Sequence, residues 1–242
     1  MPTRDLKRRT RYDAEIHGVT TLTHDRELIV FGAGGHGKVV ADVAFQCGWR
    51  CAGFVDDRTV SVSGVGLPLR ILGDRTWLCN QPRDARLVAL GIGDNYARKA
   101  VANFLNSEGI EVATLISPSS VVSPSAQIGS GTVIMPSAVV NAMAIVGEGV
   151  IINSGSVVEH DARVGNYVHL SPNSTLGGGV EIGEFSHLGL GASVLPLIRI
   201  GCRSILGAGS VVTHAIPDDV TAFGVPARIK RCSISKRERQ LT

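Results

Sequence analysis

The first residues whose types and spacing could support chemistry form a glycine-rich segment. Gly32, Gly34 and Gly37 fit the pattern G-x-G-x-x-G and directly follow the apolar run Leu28–Phe31. A helical stretch follows the glycines, and backbone N–H groups at the start of a helix bind phosphate groups. The segment therefore predicts a nucleotide site, although a purely structural role for the glycines stays open.

A second candidate is His160, which Asp161 follows directly in the sequence. A neutral imidazole near pH 7 can remove the proton from an attacking amine. A carboxylate bonded to the other ring nitrogen would fix the tautomer and favour the protonated ring after transfer. The pair predicts a general base, and the competing interpretation is an ordinary surface histidine.

A strict six-residue repeat in the C-terminal half must position this histidine. Every sixth residue from Ile116 to Val212 is Ile, Val or Leu, and the residue four places later is usually Ser, Thr, Ala or Val. This period fits neither a helix nor a simple strand. It predicts short strands and sharp turns, with three repeats closing one triangular coil and both positions pointing inward. The glycines that follow many of the aliphatic residues, such as Gly129 and Gly189, suit corners with unusual backbone angles.

The N-terminal half alternates short apolar strands with helical stretches, which predicts a small parallel sheet. The predicted strands are Leu28–Phe31, Cys51–Val55, Leu87–Leu90 and Glu111–Leu115. The acidic pair Asp56-Asp57 follows the glycines by about 20 residues, where a carboxylate can bind a ribose or a base. Only about 90 residues, 28–115, are available for this sheet before the repeat, so a single nucleotide is preferred over a dinucleotide such as NAD.

The net charge, the lengths of the apolar stretches and the cysteine content argue against several classes of function. A formal net charge of +3 is too small to indicate nucleic acid, and the basic run Arg4–Arg11 is interpreted as a solvated tail. No stretch approaches about 18 consecutive apolar residues, so no membrane insertion is expected, and no signal peptide is recognised. The 5 cysteines form no CxxC pair, which predicts free thiols and a cytoplasmic location.

The repeat, Ile/Val/Leu-Gly-x-x-Ser/Thr/Ala/Val-x, resembles the hexapeptide-repeat acyltransferases. More specifically, the chain is similar to the group of sialic-acid O-acetyltransferases and UDP-4-amino-sugar N-acetyltransferases. The similarity extends over roughly residues 28–230. Four segments carry it: Gly32–Gly37, Phe54–Asp57, Asn153–Asp161 with its Glu-His-Asp triplet, and Phe223–Ala227.

The resemblance implies a fold and an order of domains. The fold is an α/β N-terminal domain with a small Rossmann-like parallel sheet, then an all-β left-handed parallel β-helix. We expect residues 28–115 to bind the nucleotide sugar and residues 116–230 to form the acyltransferase β-helix. Residues 1–27 would be a flexible extension and 231–242 a tail.

The resemblance also implies an activity. The protein would transfer the acetyl group of acetyl-CoA to the 4-amino group of a UDP- or GDP-linked amino-deoxysugar, as a homotrimer and without a metal. No cysteine lies near Glu159–Asp161, which favours direct transfer in a ternary complex over an acyl-enzyme.

The site residues follow from the resemblance position by position. His160 matches the general base, and Asp161 matches the acid that raises its basicity, where some relatives carry glutamate. Contacts to acetyl-CoA fall on His169, Gly178, Leu190 and Ala208. The residues matched to the nucleotide-sugar site are Gly34, Gly35, His36, Asp56, Asp57, Gly93 and Asn153.

Three alternatives remain at this level. The acceptor could be a hydroxyl group of sialic acid, or the protein could bind a nucleotide sugar without chemistry. The third is a zinc site like that of the γ-class carbonic anhydrases, because His169 and His187 are eighteen residues apart and stack in neighbouring coils. Those enzymes carry two histidines five residues apart, a spacing that this sequence lacks, so simple packing of stacked rings is preferred over zinc for this pair.

Overall fold

The computed structural model describes residues 27–58, 69–82 and 87–232. The basic run Arg4–Arg11 lies outside the described residues. So do almost all of the expected N-terminal extension, 1–27, and most of the expected tail, 231–242. Within the described part of the chain, no helix is both long enough and apolar enough to cross a membrane.

The N-terminal part is a five-stranded parallel sheet with strand order β3-β2-β1-β4-β5. Its strands are β1 (Glu27–Phe31), β2 (Arg50–Val55), β3 (Ile71–Gly73), β4 (Leu87–Leu90) and β5 (Glu111–Val112). Its helices are α1 (Gly35–Gln46), α2 (Arg75–Cys79) and α3 (Asn95–Ser107). The predicted parallel sheet is confirmed, and the short elements β3 and α2 are additions to it. The predicted strand Glu111–Leu115 is shorter than expected, because β5 ends at Val112 and Leu115 belongs to the C-terminal part.

The strand order reverses between β1 and β4, and ligands of open α/β sheets bind at such a switch point. Glycines allow the loops after these two strands to touch. A Cβ atom at Gly32 would lie 2.7 Å from the carbonyl oxygen of Gly91, and one at Gly91 would lie 2.8 Å from the Cα of Gly37. Gly32 and Gly37 of the G-x-G-x-x-G pattern are therefore required for the close approach of these two loops, in addition to any role in binding a ligand.

The C-terminal part is a left-handed parallel β-helix, as expected. Its coils are built from two-residue strands that pair with strands one coil away, for example Val139 with Val157. The strands are β6 (Leu115–Ile116), β7 (Val121–Val122), β8 (Gln127–Ile128), β9 (Val133–Ile134), β10 (Val139–Val140), β11 (Ile145–Val146), β12 (Ile151–Ile152), β13 (Val157–Val158), β14 (Arg163–Val164), β15 (His169–Leu170), β16 (Thr175–Leu176), β17 (Glu181–Ile182), β18 (His187–Leu188), β19 (Ser193–Val194), β20 (Arg199–Ile200), β21 (Ile205–Leu206) and β22 (Val211–Val212).

These strands form the three faces of a triangular prism. Face 1 contains β6, β9, β12, β15, β18 and β21, and is extended by β23 (Val220–Phe223) and β24 (Arg228–Cys232). Face 2 contains β7, β10, β13, β16, β19 and β22, and face 3 contains β8, β11, β14, β17 and β20. Edge 1–2 joins face 1 to face 2, and edges 2–3 and 3–1 are named in the same way.

The interior of the prism matches the two predicted inward positions. Large aliphatic residues such as Ile152 and Leu170 have no exposed surface. Small residues such as Ala144, Ser156 and Ser174 are equally buried. Burial of one branched side chain in every repeat from Ile134 to Val212 supplies the hydrophobic stabilisation that the scarce aromatic residues do not.

The prediction for the glycines that follow the aliphatic residues was wrong. Gly165 and Gly189 have ordinary backbone angles, and the positive φ angles fall two residues later in the repeat, as at Asp161 with φ of 60° and Gly191 with φ of 64°. The earlier glycines are needed for stacking instead. A Cβ atom at Gly189 would lie 2.6 Å from the backbone nitrogen of Ala208 in the next coil.

Outward-facing residues of the prism belong to the two apolar cores of the sheet, whereas the interior of the prism is a core of its own. On one side of the sheet the core cluster includes Leu115, Val133 and Met135 of the prism. On the other side it includes Tyr167, and Phe185 packs against the same cluster. The N-terminal domain thus packs against face 1 and edge 3–1, and this packing fixes the loops after β1 and β4 relative to the β-helix.

Candidate active site

The glycine loop presents an open helix terminus. Gly34 is the N-cap of α1, has an extended backbone and provides no side-chain cap for the first turn. A Cβ atom at Gly35 would meet no atom within 4 Å, and one at Gly34 would meet only Arg58, at 3.8 Å. The N–H groups of this turn and the guanidinium of Arg58 therefore border the same open space, which suits phosphate oxygens.

Asp56 holds this loop in place. The carboxylate is 7% exposed and accepts a hydrogen bond of 2.9 Å from the backbone N–H of Ala33. Arg58 donates to both oxygens, with distances of 3.1 Å from Nε and 3.0 Å from Nη2. Burial alone would raise the pKa of Asp56, but these hydrogen bonds outweigh burial and lower it. Both oxygens are engaged, so Arg58 is the group that faces solvent.

Asp57 is also engaged by an arginine. It accepts from the backbone N–H of Arg75 at 3.1 Å and from Arg75 Nε at 3.0 Å. The side-chain hydrogen bond of Arg75 lowers the pKa of Asp57. The pair ties the end of β2 to the start of α2, so the carboxylate of Asp57 is engaged within the protein.

Three histidines line the junction between the sheet and face 1. The rings of His169 and His187 stack with centroids 4.7 Å apart and an angle of 4° between their planes. The ring of His36 lies 6.1 Å from that of His169. Asn153 Nδ2 lies 3.2 Å from His169 Nε2, and Ser171 Oγ lies 2.8 Å from His187 Nε2.

All three rings are neutral at physiological pH. Burial, together with the nearby His187, Arg98 and His36, lowers the pKa of His169 to about 3. Burial and the charge of Arg98 lower the pKa of His36 to about 4, and they also lower that of His187. Among residues 27–58, 69–82 and 87–232, no group of three or more His, Cys, Asp or Glu side chains could hold a metal ion.

A cavity of 320 Å³ opens beside these histidines, between the loop after β4 and face 1. Its lining brings together Gly93 and His169, two of the predicted site residues. The lining residues are Gly93, Asp94, Asn95, Tyr96, His169, Phe185, His187, Arg203 and Ile205. The structure thus joins the predicted sugar side and the predicted acetyl-CoA side of the site in one chain.

His160 lies at edge 2–3, where the chain turns from β13 to β14. Its Nδ1 donates to Asp161 Oδ2 at 2.8 Å, and the two side chains are 63% and 65% exposed. This hydrogen bond raises the pKa of His160 above its ordinary value. The left-handed backbone of Asp161 turns its carboxylate towards the ring, so Nε2 is left to accept a proton.

Gly178 lies in the next coil against the ring of His160. A Cβ atom at Gly178 would be 2.6 Å from both Cε1 and Nε2 of that ring, so only glycine allows the ring to rest there. The backbone N–H of Gly179 donates to the carbonyl oxygen of His160 at 2.9 Å. The structure therefore brings together the expected base His160, its expected partner Asp161 and Gly178, which was expected to contact acetyl-CoA.

Other predicted residues lie at a different edge. Leu190, which is 58% exposed, and Ala208 follow face 1 at edge 1–2, and Asn153 begins the same edge two coils below. Face 2 separates them from His160 at edge 2–3. Within one chain, the candidate residues at the prism edges thus form two groups, on opposite borders of face 2.

Sequence reasoning missed Arg58, Asn95 and Arg98. Arg58 carries no signal beyond its place after the acidic pair. Asn95 and Arg98 lie on the same buried stripe of α3 as Val101 and Leu105. A charged residue on an otherwise apolar stripe is the signal that could have identified Arg98.

Substitution of Gly178 by alanine is expected to impair catalysis rather than folding. The new methyl group would push the exposed ring of His160 aside, and a displacement of about 1 Å can lower kcat by about 100-fold. The matched control is Gly177→Ala, whose Cβ would lie 2.7 Å from the backbone nitrogen of Pro196. That variant should lower the melting temperature. A Gly178→Ala protein with normal kcat would show that the ring does not need this position.

The fold and the histidine–aspartate pair at a prism edge define the class of hexapeptide-repeat acyltransferases. Two family models match this chain: the PglD N-terminal domain over residues 27–105, and the bacterial transferase hexapeptide (six repeats) over residues 143–178.

Solved structures extend the likeness over most of the chain. PerB from Caulobacter crescentus, in complex with CoA and GDP-perosamine, is 38% identical with a TM-score of 0.80, covering 85% of this chain and 97% of that one. The acetyltransferase domain of PglB from Neisseria gonorrhoeae is 38% identical with a TM-score of 0.80, covering 85% of this chain and 100% of that domain. The chain therefore belongs to the family of hexapeptide-repeat N-acetyltransferases with a PglD-type N-terminal domain.

A curated relative is also named as an N-acetyltransferase. UDP-N-acetylbacillosamine N-acetyltransferase from Bacillus subtilis (strain 168) is 41% identical over 116 residues. That match covers 44% of this chain and 50% of the relative, so it spans half the length of the curated protein.

Proposed function

We propose that this protein transfers the acetyl group of acetyl-CoA to the 4-amino group of a nucleotide-linked amino-deoxysugar. The single observation that carries the proposal is the His160–Asp161 pair on a glycine-bordered edge of the prism. The open α1 terminus with Arg58 supports a diphosphate-linked substrate. Relatives crystallised with GDP-perosamine and with acetyl coenzyme A support both ligand classes.

His160 acts as the general base in this mechanism. Its Nε2 takes a proton from the sugar amine as the nitrogen attacks the thioester carbonyl carbon, and Asp161 stabilises the resulting imidazolium. The C–N bond forms, the tetrahedral oxyanion collapses, the C–S bond breaks, and His160 returns the proton to the CoA thiolate. The backbone N–H of Gly178 is the proposed oxyanion donor, because those of Gly177 and Gly179 already bond to Val194 and His160.

The proposed assembly is a homotrimer that completes the site. The outward positions of face 2 carry no charge: Val121, Val139, Val157, Thr175, Ser193 and Val211. Face 3 presents Arg163, Glu181 and Arg199, and the N-terminal domain covers part of face 1. Face 2 is therefore the surface suited to a neighbouring prism.

Packing on face 2 would bring edge 2–3 of one chain to edge 1–2 of the next. In this arrangement acetyl-CoA lies in the groove between chains, contacting Gly178 at one edge and Leu190 and Ala208 at the other. The neutral His169 and Asn153 would border the acetyl group and the sugar. Residues 28–115 would then serve the nucleotide sugar and 116–230 the acyl transfer. A reducing cytoplasm suits Cys47, Cys51, Cys79 and Cys202, which form no disulfide within the described residues.

A thiol-release assay with acetyl-CoA tests this function. The acceptors are a UDP-linked 4-amino-4,6-dideoxysugar, GDP-perosamine and free sialic acid. Turnover of one nucleotide-linked amino sugar is the expected result. Turnover of sialic acid alone would change the reaction to O-acetylation, and no turnover together with no binding of CoA would overturn the acyltransferase proposal.

A further inference from the structure

Arg98 is the most deeply buried charged group among the described residues, with 1% of its surface exposed. Its guanidinium donates only to carbonyl and amide oxygens. Nη1 bonds to the carbonyl oxygens of Ile92 at 3.1 Å and Gly93 at 3.0 Å, in the loop after β4. No carboxylate forms an ion pair with it in the part of the chain that the structure describes.

The same guanidinium reaches across to the prism. Nε donates to the carbonyl oxygen of Gly149 at 2.7 Å, and Nη2 donates to those of Tyr167 at 3.1 Å and Val168 at 3.4 Å. Val168 directly precedes His169. Arg98 therefore binds, with one rigid group, both the Gly93 loop and the backbone that carries His169.

Asn95 completes this contact. Its side-chain oxygen accepts from Arg98 Nη2 at 2.9 Å, and its Nδ2 donates to the carbonyl oxygens of Phe185 at 2.9 Å and Ser186 at 3.2 Å. Ser186 directly precedes His187. The strands bearing both stacked histidines are thus fixed to the first turn of α3 by two side chains.

A burial of this kind is costly, because a guanidinium that loses its water without a paired carboxylate has only dipoles to replace it. Apolar residues at the same junction would hold two domains together at less cost, as Tyr167 and Phe185 already do nearby. The planar guanidinium of arginine fixes the orientation of the two domains as well as the distance between them, and apolar contacts do not fix that orientation.

We infer that Arg98 is a positioning residue for acetyl transfer, aligning the nucleotide-sugar side of the site with the acetyl-CoA side. This inference rests on the proposed function. Arg98 touches neither substrate in this arrangement and acts through the backbone of Gly93 and of the residue before His169. Its charge also contributes, after burial, to keeping the pKa values of His36 and His169 low.

The test compares Arg98→Lys and Arg98→Met with the wild-type protein. Lysine keeps the charge but offers no planar fork, so both variants are expected to lose about 100-fold in kcat. The dissociation constants of CoA and of the nucleotide sugar, measured separately by calorimetry, should stay close to wild type. The matched control is Arg163→Met on face 3, where an exposed arginine is changed without effect on kcat.

A merely structural role gives a different pattern. It would lower the melting temperature and the fraction of CoA-binding protein, while each CoA-binding site kept its normal kcat, and that result would overturn the inference. If neither Arg98 variant folds, Asn95→Ala loosens the same junction with the guanidinium in place, and a normal kcat there is equally decisive. Absence of turnover in the wild-type protein would contradict the proposed function as well as this inference. Normal kcat in the Arg98 variants would contradict the inference alone.

Discussion

Replacement of His160 by alanine is expected to lower kcat by about 10²- to 10⁴-fold, the usual contribution of a general base. The side chain is 63% exposed, so the melting temperature and the binding of CoA should stay close to wild type. Steady-state kinetics with the best acceptor of the panel measures the effect. Retention of kcat within a few-fold would exclude His160 as the base.

The pH profile provides a second measurement on the same pair. Because the base must be neutral, kcat/KM should fall as the pH drops through the pKa of His160, which Asp161 raises above 6.5. Asp161→Asn removes the negative partner, so the midpoint should move to lower pH while kcat falls. A midpoint that is the same in both proteins would mean that another group titrates.

A charge on face 2 is the second change with a large expected effect. Val157→Glu places a carboxylate at the centre of the proposed interface, where burial without a partner is unfavourable. We expect this variant to be a monomer by light scattering and to lose at least about 100-fold in kcat, because the site would lack the neighbouring edge. Ile145→Glu, at the equivalent outward position of face 3, is the matched control and should leave both properties unchanged.

Mixed trimers would show directly that the site is shared. His160→Ala damages edge 2–3 and Leu190→Glu damages edge 1–2, so each variant alone should be nearly inactive. Chains refolded together would form some sites with both edges intact and regain part of the activity. No recovery in trimers shown to contain both chains would argue for a site within one chain.

The sequence predicted the architecture well because the signal for this fold is local. A branched residue at every sixth position determines which side chains point inward, whatever lies elsewhere in the chain. The nucleotide loop was equally visible, since its glycines follow a strand and precede a helix. The closeness of His160 and Gly178 follows from their spacing of eighteen residues, which is one coil in any prism of this kind.

The remaining features depend on contacts between distant parts of the chain. Arg98 meets Gly149, Tyr167 and Val168 only because the sheet docks on edge 3–1, and α3 contains no hint of these partners. Asp56 was expected to face a ligand, but Ala33 and Arg58 occupy its oxygens. The role of the stacking glycines was misjudged because a repeat shows which residues recur without showing what lies above them.

The coil length also determines how this protein can change in size. Each column, such as the one that holds His160 and Gly178, is kept in register by the pairing of strands one coil apart. An insertion of one whole coil between two sites lengthens the prism and leaves every column in place. An insertion of a single repeat would rotate everything after it by one face, so that Leu190 and Ala208 would move to a different edge. Insertions or deletions that keep the function of this β-helix should therefore come in whole coils of three repeats, and not in single repeats.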